Sequence, residues 1–111
     1  MFEIDKKGNI YHTRGDTAGF DVNVTIDGEV LDEYEAVFSV KKRYEDTEYL
    51  LQVPVVDKHV TIPHTATQNL PFGNFFYDIE IIIPKDEADT EDRYVTIGPY
   101  AYYLKPDITT T

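Results

Sequence analysis

The chain has 111 residues, no cysteine and no tryptophan, and its 21 acidic residues against 10 basic ones give a formal charge of −11. A chain of that length makes one domain with a core that needs no staples, and the missing cysteines exclude a disulfide framework and thiolate metal or redox chemistry. The acidic excess repels phosphate backbones and anionic lipid surfaces, so neither nucleic acid nor membrane is an expected partner.

The start, Met1 to Lys7, contains no apolar run that would serve as a signal peptide or membrane span. A soluble protein not secreted by that route is expected. Phe2–Ile4 and Asn9–His12 flank a Lys7-Gly8-Asn9 turn signal and predict a small N-terminal strand or hairpin. After the tight loop Thr13–Thr17 comes Phe20–Ile26, which alternates cleanly and should turn Phe20, Val22, Val24 and Ile26 inward. Asp27-Gly28 is a reverse-turn pair, and the acidic Glu29–Glu35 a loop or short edge piece. Ala36–Lys42 predicts a strand with Phe38 and Val40 facing the core. Glu48–Val53 and Lys58–Ile62 predict two more, separated by Pro54 and Asp57.

Pro63–Pro71 suits a helical turn near residues 65–70, capped by Thr65 or Thr67, with Leu70 tucked beneath the sheet. The strongest signal follows. In Phe72–Ile83 a period of two places Phe75, Tyr77, Ile79, Ile81 and Ile83 on one face, with Phe76, Asp78, Glu80 and Ile82 on the other. Bracketed by Pro71 and Pro84, this is the expected central strand. Pro84–Asp92 reads as a charged loop and Arg93–Ile97 as a strand, with Gly98-Pro99 breaking the run before Tyr100–Leu104. These runs predict an all-β fold, an antiparallel two-sheet β-sandwich, immunoglobulin-like or jelly-roll-like, of seven to nine short strands. One domain covers residues 1–104, and residues 105–111 read as a flexible tail.

Catalytic chemistry is hard to assemble. The one serine, Ser39, lies in mid-strand rather than on a nucleophile elbow. His12, His59 and His64 lack the spacing of a helical metal motif; His59 is expected to face solvent, and His64 follows Pro63 in a loop. Asp86–Asp92 is dense in carboxylates but lacks the alternating ligands and turn glycine of a calcium loop. No enzyme, metal or cofactor is expected. Arg14-Gly15-Asp16 spells an integrin-binding tripeptide, yet before a strand it reads as a turn, and the sequon Asn23-Val24-Thr25 reads as outward polar residues around a core valine. Lys41-Lys42-Arg43 reads as a solvated strand end, because alternation turns Lys42 away from its neighbours.

Nine tyrosines are the remaining signal, with Tyr94, Tyr100, Tyr102 and Tyr103 gathered on the last two predicted strands. Alternation puts Tyr100, Tyr102 and Leu104 on one face and Tyr103 on the other. An apolar body with a polar tip suits a protein interface, a sugar-stacking platform or the rim of a core. With the outward Phe76 and Ile82, these four tyrosines are the candidate partner-binding residues.

Several short blocks together resemble a known group. The Gly15-Asp16-Thr17 loop entering Phe20–Ile26 is the first, and Ala36–Lys41, a strand ending in lysine, is the second. Val60–Ile62, Thr65, Thr67 and Leu70 then precede Gly73–Ile79, and Thr96–Tyr100 closes the series. In this order they resemble the N-terminal β-sandwich of the baseplate upper protein of phages infecting Gram-positive bacteria. The likeness spans residues 10–104 and carries no catalytic residue, and the helical linker that follows the sandwich in that group has no counterpart before Thr111. It implies a non-enzymatic phage or prophage tail module, made in the bacterial cytoplasm and carried in the virion, whose partners are itself or neighbouring tail proteins. The alternative is a carbohydrate- or receptor-binding sandwich using Tyr94, Tyr100 and Tyr102.

Overall fold

A computed structural model describes residues 2–43, 45–84 and 91–106. Its elements in chain order are β1 (Phe2–Ile4), β2 (Ile10–Thr13), β3 (Ala18–Asp21), β4 (Thr25–Ile26), β5 (Glu29–Val30), β6 (Glu35–Lys41), β7 (Leu51–Pro54), β8 (His59–Ile62), α1 (His64–Thr67), β9 (Gly73–Ile83) and β10 (Arg93–Lys105). Six strands form one sheet in the order β1-β2-β10-β9-β6-β7, while β3 pairs with β8 and β4 with β5. The all-β expectation holds among the described residues.

β9 occupies the position its alternation predicts, with β10 on one side and β6 on the other. Phe75, Tyr77, Ile79 and Ile81 are buried on one face, and the register sets Ala36, Phe38 and Val40 of β6 beside Ile81, Ile79 and Tyr77. Ile10, Tyr102, Leu104 and Leu51 continue that face across the sheet. Phe38, wholly buried, is its centre, with the rings of Tyr77 at 5.2 Å and Phe20 at 5.5 Å. Phe20 belongs to the β3–β8 pair, whose Ala18, Val60 and Ile62 join the same core. Burial of this apolar surface is the main favourable term in folding.

Several expectations are corrected. The sheet is mixed rather than antiparallel, because β2 runs parallel to β10 with Ile10 opposite Tyr102 and Thr13 opposite Lys105. Alternation specifies which face a residue takes, not strand direction, and no hairpin joins these two distant segments. Second, Gly98-Pro99 does not break the last run. β10 continues through it, and a register shift between Ile97 and Tyr100 absorbs the irregularity, helped by Gly98 at φ 109°.

Third, ten strands are described rather than seven to nine. The Phe20–Ile26 run divides because its two halves have different partners: Val22 still donates its N–H to the Lys58 carbonyl, in register with the β3–β8 pair, whereas Val24 accepts from Leu31 and so belongs with the β4–β5 pair. Asp27 and Gly28 then both take positive φ, as a two-residue turn joining β4 to β5 requires. Last, α1 has Pro63 at its N-cap and no side-chain cap, so neither Thr65 nor Thr67 plays that part. Instead the buried Thr67 accepts the Gly15 N–H on its Oγ1 at 2.9 Å. Leu70 is half-buried against the core, as expected. Lys105 still belongs to β10 rather than to a tail. The rest of the predicted tail at 107–111, and residues 86–90 of the acidic run, lie outside the described residues.

Candidate interaction surface

The core residues contributed by the six-stranded sheet come mainly from one of its faces, so the other face is where an interaction surface has to be sought. On β10 that outer face carries Tyr94 opposite Ile82 of β9, Thr96 opposite Glu80, Ala101 opposite Phe76 and Tyr103 opposite Asn74. Tyr94 is 64 % exposed, while Phe76, Ile82 and Tyr103 are half-buried. Beyond Tyr103 the parallel pairing brings in Tyr11, whose ring stacks on Tyr103 at 4.9 Å. Lys105 Nζ sits 5.5 Å from the Tyr103 centroid, a cation–π contact on an acidic molecule. Phe76, Ile82, Tyr94 and Tyr103 are therefore brought to one surface, which Tyr11 extends. Tyr11 was legible as a strand residue, but its place beside Tyr103 depends on a non-local parallel pairing.

Tyr102 is corrected. It is fully buried and touches no partner surface, because its parity on β10 is that of the core residue Leu104. Its hydroxyl lies 2.5 Å from His12 Nδ1, and His12 Nε2 lies 2.9 Å from the Asp16 carbonyl. A carbonyl only accepts, so Nε2 holds the imidazole proton and Nδ1 accepts the Tyr102 O–H. Burial pushes the His12 pKa down, with the Asp16 carbonyl and carboxylate opposing it, and burial pushes the Tyr102 phenol up. The pair is thus a neutral, internally satisfied lock between the two ends of the chain. The one sign of this role in the sequence is the place of His12 between Tyr11 and Thr13, in phase with Ile10.

Tyr100 is 36 % exposed, and it is occupied in another way. A Cβ added to Gly8 would stand 3.3 Å from its ring, so the β1–β2 turn rests on Tyr100. Tyr77 donates its hydroxyl to the Gly8 carbonyl, and burial first, then Tyr100 and Asp5, raise its pKa to about 12. Asp5 closes the turn by accepting the Lys7 and Asn9 N–H groups on one carboxylate oxygen, each at 2.9 Å. Those bonds to the charged form hold its pKa below the usual value.

The Arg14-Gly15-Asp16 loop is docked rather than offered. Arg14 donates to the Leu70 carbonyl at 3.3 Å, and its guanidinium lies 3.9 Å over the Phe72 ring. Ser39 is buried and accepts from Gln52 Nε2 at 3.1 Å. His59 pairs with Asp21 at 2.8 Å, and His64 is exposed at the start of α1. The three histidines do not converge, and among the described residues no group of three His, Cys, Asp or Glu side chains is placed to hold a metal ion. An open groove of about 490 Å³ is lined by Asp32, Glu33, Tyr34, Val55, Asp57 and Lys58, and Lys58 pairs with Asp32 there at 3.1 Å. No helix among the described residues is long and apolar enough to cross a membrane. No protein-family model matches the chain, and no curated protein or solved structure is detectably similar to it.

Proposed function

We propose that this chain is a non-enzymatic structural and assembly module of a phage or prophage tail or baseplate, working through protein–protein contacts. In this reading the six-stranded sheet and the β3–β8 pair are the two layers of a β-sandwich, and the product of the work is a surface. The observation that carries it is the outer face of the sheet, where Tyr94, exposed at 64 %, stands against Ile82 and leads on to Phe76 and Tyr103. Aromatic and aliphatic side chains on one face of an acidic protein favour a macromolecular partner over a charged substrate. The tail and baseplate assignment rests on the order of short blocks from Gly15 to Tyr100, and it places the protein in the virion after synthesis in the bacterial cytoplasm.

The carbohydrate-binding alternative needs Tyr94, Tyr100 and Tyr102 on one platform. Tyr102 is in the core and Tyr94 is on the opposite face from Tyr100, so the geometry favours the assembly reading.

Co-expression with the products of the genes on either side tests it directly. Native mass spectrometry should find a stoichiometric complex with a tail protein or with further copies. The double substitution Tyr94→Ser with Ile82→Ser should weaken such a complex at least tenfold, about 1.4 kcal/mol, without altering the circular dichroism. A chain that stays monomeric and alone at high concentration would sink the proposal.

A further inference from the structure

We infer that β10 pairs along its open edge, over Arg93–Ile97, with the same segment of a second copy, antiparallel about a two-fold axis through Val95. This deepens the assembly reading and rests on it. β9 lies along the whole of β10 on one side. On the other side β2 covers only Tyr102–Lys105. Among the described residues, no strand pairs with that second edge over Arg93–Ile97. Every second residue of the segment therefore turns its N–H and C=O outward from the sheet edge, ready to receive another strand.

The other two edges of the sheet are guarded in ways this one is not. β1 is three residues long, and β7 ends on Pro54. From Arg93 to Leu104 the only charged side chain is Arg93, at the very start of the segment, in a chain of net charge −11, so from Tyr94 to Ile97 no charge blunts the edge.

A second copy is the occupant that the register fits. The shift after Ile97 limits the regular segment to five residues, Arg93 to Ile97, centred on Val95. Self-pairing about Val95 sets Tyr94 opposite Thr96, Arg93 opposite Ile97 and Val95 opposite its own mate. These are aromatic–β-branched, Val–Val and Arg–Ile cross-strand pairs, and no like charges face one another. The nearest carboxylate on β9, Glu80, would stand about three strand spacings across and two residues along from its mate, ~16 Å away and beyond the ~8 Å screening length at physiological salt. Val95 and Ile97 are half-buried at the end of the core and would be covered further. A two-fold contact of this kind is isologous and closes on itself.

The chain has no cysteine, so a single introduced thiol reports the register. In sedimentation velocity the full chain should be a dimer at ~100 μM, a concentration that populates even a weak, micromolar contact. Val95→Cys should cross-link to a covalent dimer under mild oxidation, because directly paired strand positions fall within disulfide reach. Ile97→Cys should not, since its mate would lie about 13 Å along the strand. Val95→Lys and Val95→Glu should each be monomeric when alone and should dimerise when mixed. Circular dichroism of each variant shows that the fold persists.

Cross-linking of Ile97→Cys but not Val95→Cys, or failure of the mixed variants to associate, would overturn the register and the inference with it. A monomeric wild-type chain that nevertheless binds a tail protein would overturn the inference and leave the assembly reading standing. A dimer with this register that binds no tail protein would uphold the inference and remove the tail assignment.

Discussion

At the scale of single residues, the His12–Tyr102 contact decides most, since it joins the second and last strands inside the core. Tyr102→Phe keeps the packing and removes the donor to His12 Nδ1. A buried acceptor left without a partner costs about 1–3 kcal/mol, and chemical denaturation should show a loss of that size with the unfolding slope unchanged. The same contact sets a pH dependence. Burial lowers the folded-state pKa of His12, whereas the unfolded imidazole takes its proton near pH ~6.5. As pH falls through that value the unfolded state binds the extra proton, so stability drops, by at most ~1.4 kcal/mol per pH unit, until the folded-state pKa is reached. Above it, His12 contributes no slope. Thermal midpoints between roughly pH 5 and 8 should fall toward acid in the wild type and fall less in His12→Gln, which has no imidazole to titrate. Equal slopes in the two proteins would show that His12 is not the group responsible.

At the scale of elements, what could be read from the residues was what depends on neighbours a few positions apart. Phe72–Ile83 declared itself because Phe75, Tyr77, Ile79 and Ile81 recur with the period of a pleat, and all four are buried. Asp27-Gly28 declared its turn because few residues accept two positive φ angles in a row. The parity of Tyr100, Tyr102 and Leu104 was legible too, but not which face was the core, and so Tyr102 stood among the surface candidates. That choice, like the parallel direction of β2, is made by the pairing of Ile10 with Tyr102 across the length of the chain. β10 was divided because Gly98-Pro99 is a breaker in most strands, whereas here the bulge accommodates both residues. Gly98→Ala tests that account. A side chain at φ 109° is strained, and its Cβ would stand 3.0 Å from the Tyr77 carbonyl oxygen and 3.3 Å from Asp78 Cα. With backbone on both counts, neither neighbour can yield cheaply. The substitution should cost about 1–3 kcal/mol, read as a lower thermal midpoint, and a neutral result would mean that the bulge is more adaptable than its geometry.

On the scale of the whole molecule, the formal charge of −11 works against the compact state and against any second copy brought near it. The Lys58–Asp32 ion pair is solvent-accessible, of a kind worth about 0–1 kcal/mol. Added salt weakens such attractions and the general repulsion together, and with the acidic excess this large the repulsion dominates. Sodium chloride is the right probe, because sulfate would also strengthen apolar burial by its exclusion from the surface. The pH matters as well: near pH ~8 an imidazole with a lowered pKa is neutral whether the chain is folded or not, so the His12 effect drops out. Raising the salt there from ~0.01 M to ~1 M shortens the screening length from about 30 Å to about 3 Å. The thermal midpoint should rise, and the Val95-centred dimer should tighten at the same time, because its contact is apolar and the charges it brings together are alike. The mixed Val95→Lys and Val95→Glu pair should respond in the opposite sense, since salt screens the one attraction engineered across the axis. A wild-type dimer that loosens with salt would mean that unlike charges hold it together, which the composition of Arg93–Ile97 does not supply.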